Sequence, residues 1–425
     1  MAAAACGASL GDHVTTAAAE PQATAEQLLE MQVYGRRKLL CHLVDTALDV
    51  AGLAVIAFLL AKPLDQQLES WAVFQTAWVR LGMLFLLIAV AQYVVSFPLT
   101  LYAGFLLEHK FGLSRQTLFR WLRRELLKFV LTLALGSALI QGLFWLIWLL
   151  GPAWWLAAAG ATFVVSVLLG QLVPVVILPL FYKIERLDDD ELASRFQRLA
   201  AGTSLTIAGV YRMQMSAETT KANAMLAGLG RTRRVILGDT LLNGFTPEEI
   251  EVVLAHEIGH HVHHHIPKLM SMGLVASLLS FLVCDRLLVW WFGAGFAYEH
   301  MPVHALPLLM LVLNVLSLLT SPLANAISRH FERQCDRYAL QRTGLYQPYL
   351  SAFTKLSRLN KADPQPPWLE VFLFHDHPPI AERLSLAEQD VGSESDNPPS
   401  GRGKIGGPVS LPVAPTASRA GDTDS

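Results

Sequence analysis

Charge is scarce in this chain. Of 425 residues only 16% are Asp, Glu, Lys or Arg, while 53% are hydrophobic. A soluble domain carries nearer a quarter charged residues. With a mean hydropathy of +0.39, the deficit argues against an ordinary soluble fold and for a membrane protein that has the lipid bilayer as a partner. The formal net charge is −2, so a nucleic-acid partner has no electrostatic basis. Cysteine is sparse as well. Cys6, Cys41, Cys284 and Cys335 are scattered without a C-x-x-C pair, which implies no disulfide framework and suits a soluble part facing a reducing cytosol. Internal repeats and a glycine-rich phosphate loop are absent. The stretch from Met1 to about Glu26 lacks the basic and compact apolar regions of a cleaved signal peptide, and 391–425 is Gly/Pro/Ser-rich and reads as a disordered tail.

Long apolar runs are what the chain does have. Six are long enough to cross a bilayer, at about 40–60, 81–106, 129–150, 154–180, 269–292 and 303–326. Pro98, Pro174 and Pro179 interrupt them, and Gly151-Pro152 separates the third from the fourth. Arg36, Arg37 and Lys38 precede the first span. Lys110, Arg115, Arg120, Arg123, Arg124 and Lys128 follow the second. These clusters share one side if both termini are cytoplasmic, which predicts that the segment between the fourth and fifth spans, and everything after Arg329, is cytoplasmic too. Within that segment 188–201 reads as a helix, and 206–215 and 234–242 as strands.

The chemistry is concentrated at His256-Glu257-Ile258-Gly259-His260. Histidines four apart share one helix face and can bind one Zn²⁺ together. Glu257 stands between them as a general base toward water. Thr246, Pro247 and Glu249 read as N-cap, first-turn proline and capping-box acid, so the motif lies within a properly started helix. The tract runs on as His261, His263, His264 and His265, which equally suits an adventitious His-rich stretch. His264 cannot be a third ligand on the same straight helix, because eight residues span about 12 Å and ligand bonds are about 2.1 Å. After the sixth span, Glu332 and Asp336 are four apart and share a face. Glu332 suits a metal and Asp336 a supporting or proton-transfer role. Flanked by Arg329, Arg333 and Arg337, the two acids also suit an ordinary solvated surface.

Four stretches together resemble the type I CAAX prenyl protease family of integral-membrane zinc metallopeptidases. They are Glu108 to Thr117, Leu178 to Lys183, Asn223 to Leu242 before the H-E-x-x-H, and Ser328 to Asp336. The resemblance implies a polytopic, mainly α transmembrane helix bundle with a small cytoplasmic α/β zinc-metallopeptidase domain. The implied divisions are a polar segment (1–35), a four-span membrane domain (36–182), a metallopeptidase domain including two further spans (183–390) and the tail. It implies one Zn²⁺ per chain on His256, His260 and Glu332, with Glu257 as general base. Asp336 would donate a proton or orient a zinc histidine. His377, in His375-Asp376-His377-Pro378-Pro379, would stabilise an oxyanion. Asn223, on a strand edge, would hold the substrate backbone, and Arg383 matches a nearby arginine assigned to substrate. The implied substrate is a peptide or protein, prenylated or not.

The chain departs from the family at Cys335 (usually alanine), at Ala222 (usually serine) and at Met225-Leu226-Ala227 (usually Tyr/Phe-rich), and it has polar sequence where eukaryotic members have a further span. These departures suit a shorter, prokaryotic-like member. A heat-shock type membrane protease of the HtpX kind is the nearer alternative, and a His-rich divalent-metal transporter the remoter one.

Overall fold

The computed structural model describes residues 24–396, except 204, 206–208, 229–232 and 294–295. Among the described residues, five helical stretches are long and apolar enough to cross a membrane. The first begins earlier than the apolar run does. Helix α1 (Ala25–Val55) starts at Thr24, whose side chain and that of Gln27 form a capping box, and the stretch continues through a π-turn to Glu69. The polar residues up to Lys38 are therefore helical, because a satisfied N-cap relieves the orphan N–H groups of the first turn. Helix α2 (Ala77–Leu101) contains Pro98 and passes into a second π-turn, Tyr102–Leu106. Proline withdraws an N–H donor, and the ladder there is looser as a result.

The third stretch runs over 64 residues, Leu118–Phe181. Straight, it would be about 96 Å long, some three times the thickness of a bilayer's hydrocarbon core. It breaks at Gly151, which takes φ 52, a conformation favourable only to glycine. This separates α3 (Leu118–Leu150) from α4 (Trp154–Leu172), so five stretches hold the six expected spans.

A small sheet follows, of four strands rather than two. Its order is β1 (Lys183–Arg186), β2 (Gly209–Gln214), β4 (Arg234–Gly238), β3 (Ala224–Ala227). The β2–β4 pair is parallel and the outer pairs are antiparallel, with Leu226 opposite Val235. Strand β4 ends at Gly238, sooner than expected, and Asp239–Gly244 is helical. The reason is Asp239, whose buried carboxylate accepts hydrogen bonds from the Met215 and Ser216 amides and the Ser216 hydroxyl. Helix α5 (Asp190–Ala200) covers the sheet with Leu192, Phe196 and Leu199, a helical face that meets Val235 and Leu237 and reaches Val253, Leu254 and Ile258.

Helix α6 (Pro247–Val262) carries the H-E-x-x-H and has the expected Thr246–Glu249 capping box. It stops before the histidine run is complete, because His264 adopts a left-handed conformation (φ 57, ψ 38). Helix α7 (His265–Phe292) then re-enters the bundle, and α8 (Leu306–Thr343) returns as one unbroken rod of 38 residues. Helices α9 (Tyr346–Asn360), α10 (Trp368–Phe374) and α11 (Ile380–Asp396) close the chain. The expected tail thus begins inside α11, and 397–425 lie outside the described residues.

The buried core of the bundle gathers at the end remote from α6. Leu81, Leu84, Ile88, Phe144, Ile147, Trp154, Leu288 and Leu306 meet near the α3–α4 and α7–α8 connections. Polar pins hold that end. Asp285, 1% exposed, accepts from Trp154 Nε1 at 2.8 Å and Tyr298 hydroxyl at 2.9 Å. Asp65 takes Arg80 Nε at 2.9 Å and faces His304 Nδ1 at 3.1 Å.

Candidate metal centre

One glycine lets the site form. A Cβ at Gly259 would lie 3.0 Å from the Cys335 Cα, so α6 and α8 approach almost backbone to backbone. That contact sets the inner face of the H-E-x-x-H helix against Glu332 and Asp336. His256 Nε2 lies 3.2 Å from Glu332 Oε2, and His260 Nε2 lies 3.2 Å from Glu332 Oε1. Edges of a tetrahedron with ligand bonds near 2.0–2.1 Å are about 3.3 Å, so the three side chains fit one metal ion. Among the described residues, none donates an aligned hydrogen bond to the buried Glu332 Oε2. An oxygen with close nitrogen neighbours but no donor aimed at it suits a lone pair directed at a shared cation.

Cys335 is a rival donor, since an atom from each of His256, His260 and Cys335 falls within 4.8 Å of the others. The Cys335 sulfur, fully buried, instead lies 3.6 Å from His265 Nδ1. His265 Nδ1 meets His260 at the latter's Nδ1, on the opposite side of the ring from Glu332. The carboxylate faces both Nε2 atoms, and Glu332 fits better.

The distal nitrogens are engaged. His256 Nδ1 sits 3.0 Å from Asp336 Oδ1. Burial disfavours its imidazolium, but Asp336 and Glu332 outweigh that and push its pKa up to about 9 in the metal-free chain. Arg383, 7% exposed, grips Asp336 with two bonds, Nε to Oδ2 at 3.0 Å and Nη2 to Oδ1 at 2.5 Å, and lies over the Phe353 ring at 3.9 Å. Its guanidinium is committed to Asp336, although the side chain also lines the cleft.

His265, in the sequence one more residue of the His-rich tract, has a defined place here. It is fully buried and stacked on Phe331 at 4.2 Å. Its Nδ1 is 3.1 Å from His260 Nδ1 and its Nε2 is 2.9 Å from Gln334 Oε1. No helical period signals this contact, because the chain turns at His264 between the two rings. His264 itself is exposed, and its ring Nδ1 turns back to the Val262 carbonyl at 2.9 Å.

The other expected residues converge on a cleft of about 750 Å³. Glu257 lines it, and its Oε2 accepts from the Leu226 amide at 3.2 Å. Asn223 lies at the start of edge strand β3 and faces the same space. His377 Nε2 approaches Glu332 Oε2 at 3.5 Å, while its Nδ1 is 2.8 Å from Asp376 Oδ1. Asp376 holds the His377 imidazolium above its ordinary range, against burial. The far wall is α1, through Lys38, Leu39 and His42. That wall is tied to the sheet by buried Glu108, which takes Tyr34 hydroxyl at 2.7 Å and Lys38 and Lys221 Nζ at 2.9 Å each.

Two family models match in succession. Residues 10–183 match the CAAX prenyl protease N-terminal region, described as five membrane helices, and 186–390 match peptidase family M48. An uncharacterized metalloprotease of Bacillus subtilis, YhfN, is 29% identical over 78% of this chain and 79% of its own length. CAAX prenyl protease 1 of Saccharomyces cerevisiae is 29% identical over 69% of each. The crystal structure of Ste24p from S. mikatae superposes with a TM-score of 0.75 over 87% of this chain and 91% of that one, at 23% identity, a likeness of fold. With the bundle and the H-E-x-x-H region matched by adjoining models, this chain belongs to the CAAX prenyl protease (M48) family and is a multi-pass membrane metalloprotease.

Proposed function

We propose that the chain hydrolyses peptide bonds with one zinc ion held by His256, His260 and Glu332, in a cleft on the cytoplasmic side of the membrane. The observation that carries this reading is the approach of both histidine Nε2 atoms to the Glu332 carboxylate at 3.2 Å. Two neutral imidazoles and one carboxylate are a donor set for catalytic zinc, and they leave a fourth position open. When bound, zinc supplies a Lewis acid for the scissile carbonyl and makes water more acidic.

Glu257 takes the proton of the attacking water and delivers it to the leaving amine. The Leu226 amide, at 3.2 Å, keeps its carboxylate turned toward the cleft. The His377 imidazolium, sustained by Asp376, donates to the developing oxyanion. The free edge of β3 beside Asn223 binds the substrate backbone as an added strand. Asp336 holds the His256 ring, and Arg383 holds Asp336, so we assign Arg383 to positioning rather than to substrate contact.

The cytoplasmic side is supported by Arg36, Arg37, Lys38 and the basic loop after α2. The names of the relatives, CAAX prenyl proteases, support a prenylated CAAX peptide as substrate. The test is Glu257→Gln in the full-length protein, with zinc content and cleavage measured on matched peptides with and without a farnesyl cysteine. Retained zinc with lost turnover is expected; undiminished cleavage by the variant refutes the assignment. Equal rates on the two peptides would remove the prenyl group from the proposed specificity and leave the hydrolysis intact.

A further inference from the structure

Helix α10 has apolar residues at every position of Trp368–Phe374 except Glu370. Much of that surface is uncovered, with Trp368 76%, Leu369 50% and Phe372 45% exposed. Its attachments define its depth. The Leu373 carbonyl accepts from Asn325 Nδ2 at 2.8 Å, and the Val371 carbonyl accepts from Arg329 Nη1 at 2.8 Å. On α8 these two side chains directly follow the exposed apolar residues Leu319 (71% exposed) and Leu323 (66%) of the last membrane-capable stretch. From Leu323 to Arg329 the helix rises about 9 Å, so a hydrocarbon edge falling near Leu323 would leave Arg329 at the outer margin of the headgroup layer. On the other flank Phe374 meets His42 of α1 edge-on at 5.6 Å, beside the exposed Leu40 and Leu43. The uncovered face of α10 therefore lies beside exposed apolar residues of two spans, Leu323 on α8 and Leu40 and Leu43 on α1. Arg329 is buried and spends its guanidinium on the carbonyls of Val371 and His375, so it fixes α10 in place. On the inner side, Glu370 and Phe374 line the catalytic cleft.

We propose that α10 is an interfacial helix, with Trp368, Leu369 and Phe372 inserted at the headgroup–acyl boundary of the leaflet on the active-site side, so that one wall of the cleft is set in lipid. Aromatic residues concentrate at that boundary because an amphipathic ring satisfies both sides of it, and burial of the face in lipid removes its contact with water. The proposal stands apart from the metal and from the choice of substrate.

The test uses the full chain in phosphatidylcholine vesicles, with Cys6 and Cys41 changed to serine and an environment-sensitive fluorophore attached to Trp368→Cys or Phe372→Cys. Asp188→Cys, whose native side chain is 92% exposed in the sheet region, is the aqueous control. Both α10 labels should emit at shorter wavelength than the control, and phospholipids brominated near the headgroup should quench them about twofold or more, with aqueous iodide having little effect. Emission and iodide quenching equal to the Asp188→Cys control would overturn the proposal. So would labels shielded from both quenchers, which would mean that protein rather than lipid covers the face.

Discussion

His256 reaches Asp336 across 80 positions of sequence, Nδ1 to Oδ1 at 3.0 Å, and this contact turns its Nε2 toward Glu332. Because Arg383 binds the same carboxylate through two nitrogens, removal of Asp336 would both free the His256 ring and strand a buried cation. Asp336→Asn keeps an acceptor but loses the charge. Metal affinity is expected to fall by about 10–100-fold, and thermal stability to fall with it through the unpaired Arg383. Chelator competition and a melting curve measure the two; unchanged affinity would remove Asp336 from the support of the site.

The His260–His265 contact makes a second prediction. A metal on Nε2 leaves the proton of His260 on Nδ1, donated to His265 Nδ1, and His265 then donates from Nε2 to Gln334 Oε1. His265→Leu removes the acceptor and should weaken metal binding by about tenfold or more. His265→Asn offers an amide oxygen near the same place and should recover part of the loss. If leucine and asparagine behave alike, His265 serves packing alone.

The pH dependence of metal uptake follows from His256. In the metal-free chain its pKa is raised from 6.5 to about 9, so the protonated ring stabilises that state fully below pH 6.5, and the contribution is lost as pH rises through 9. Metal must displace this proton. Affinity should therefore climb by up to about tenfold per pH unit between 6.5 and 9 and then level off, as read by cobalt or zinc titration. A flat profile would mean that His256 carries no proton in the metal-free site.

Gly259 makes the most direct structural prediction. In Gly259→Ala the new methyl meets the Cys335 Cα at 3.0 Å and its sulfur at 3.2 Å, so α6 and α8 must separate. A cost of about 1–3 kcal/mol is expected, with metal affinity reduced because the two Nε2 atoms no longer converge on Glu332. A melting curve paired with metal content checks both parts.

His377 bears on the transition state and little on the metal. His377→Gln should keep its metal and lower kcat by about 10²–10³-fold with a small change in KM. Loss of metal from this variant would move His377 into the ligand set.

Some of this protein is decided locally. Apolar length, basic flanks and the break at Gly151 define the spans, because each depends on a few neighbouring residues and the bilayer thickness. The Thr246–Glu249 box and the four-residue spacing put His256 and His260 on one face of a helix by backbone geometry alone. Strand β1 and the early end of β4 were not legible, since they follow from pairing with β2 and from Asp239 bonding to residues 215 and 216. Cys335, three positions from Glu332, comes near the same two histidines, and no sequence pattern signals that proximity. It follows from the close approach of α6 and α8 at Gly259, which also brings Glu332 to both Nε2 atoms. The sequence by itself thus determined that two histidines and a glutamate share a helix inside a membrane protein. Only the tertiary structure decided what faces them, because the distance and rotation between two packed helices are properties of their contact and of neither helix alone.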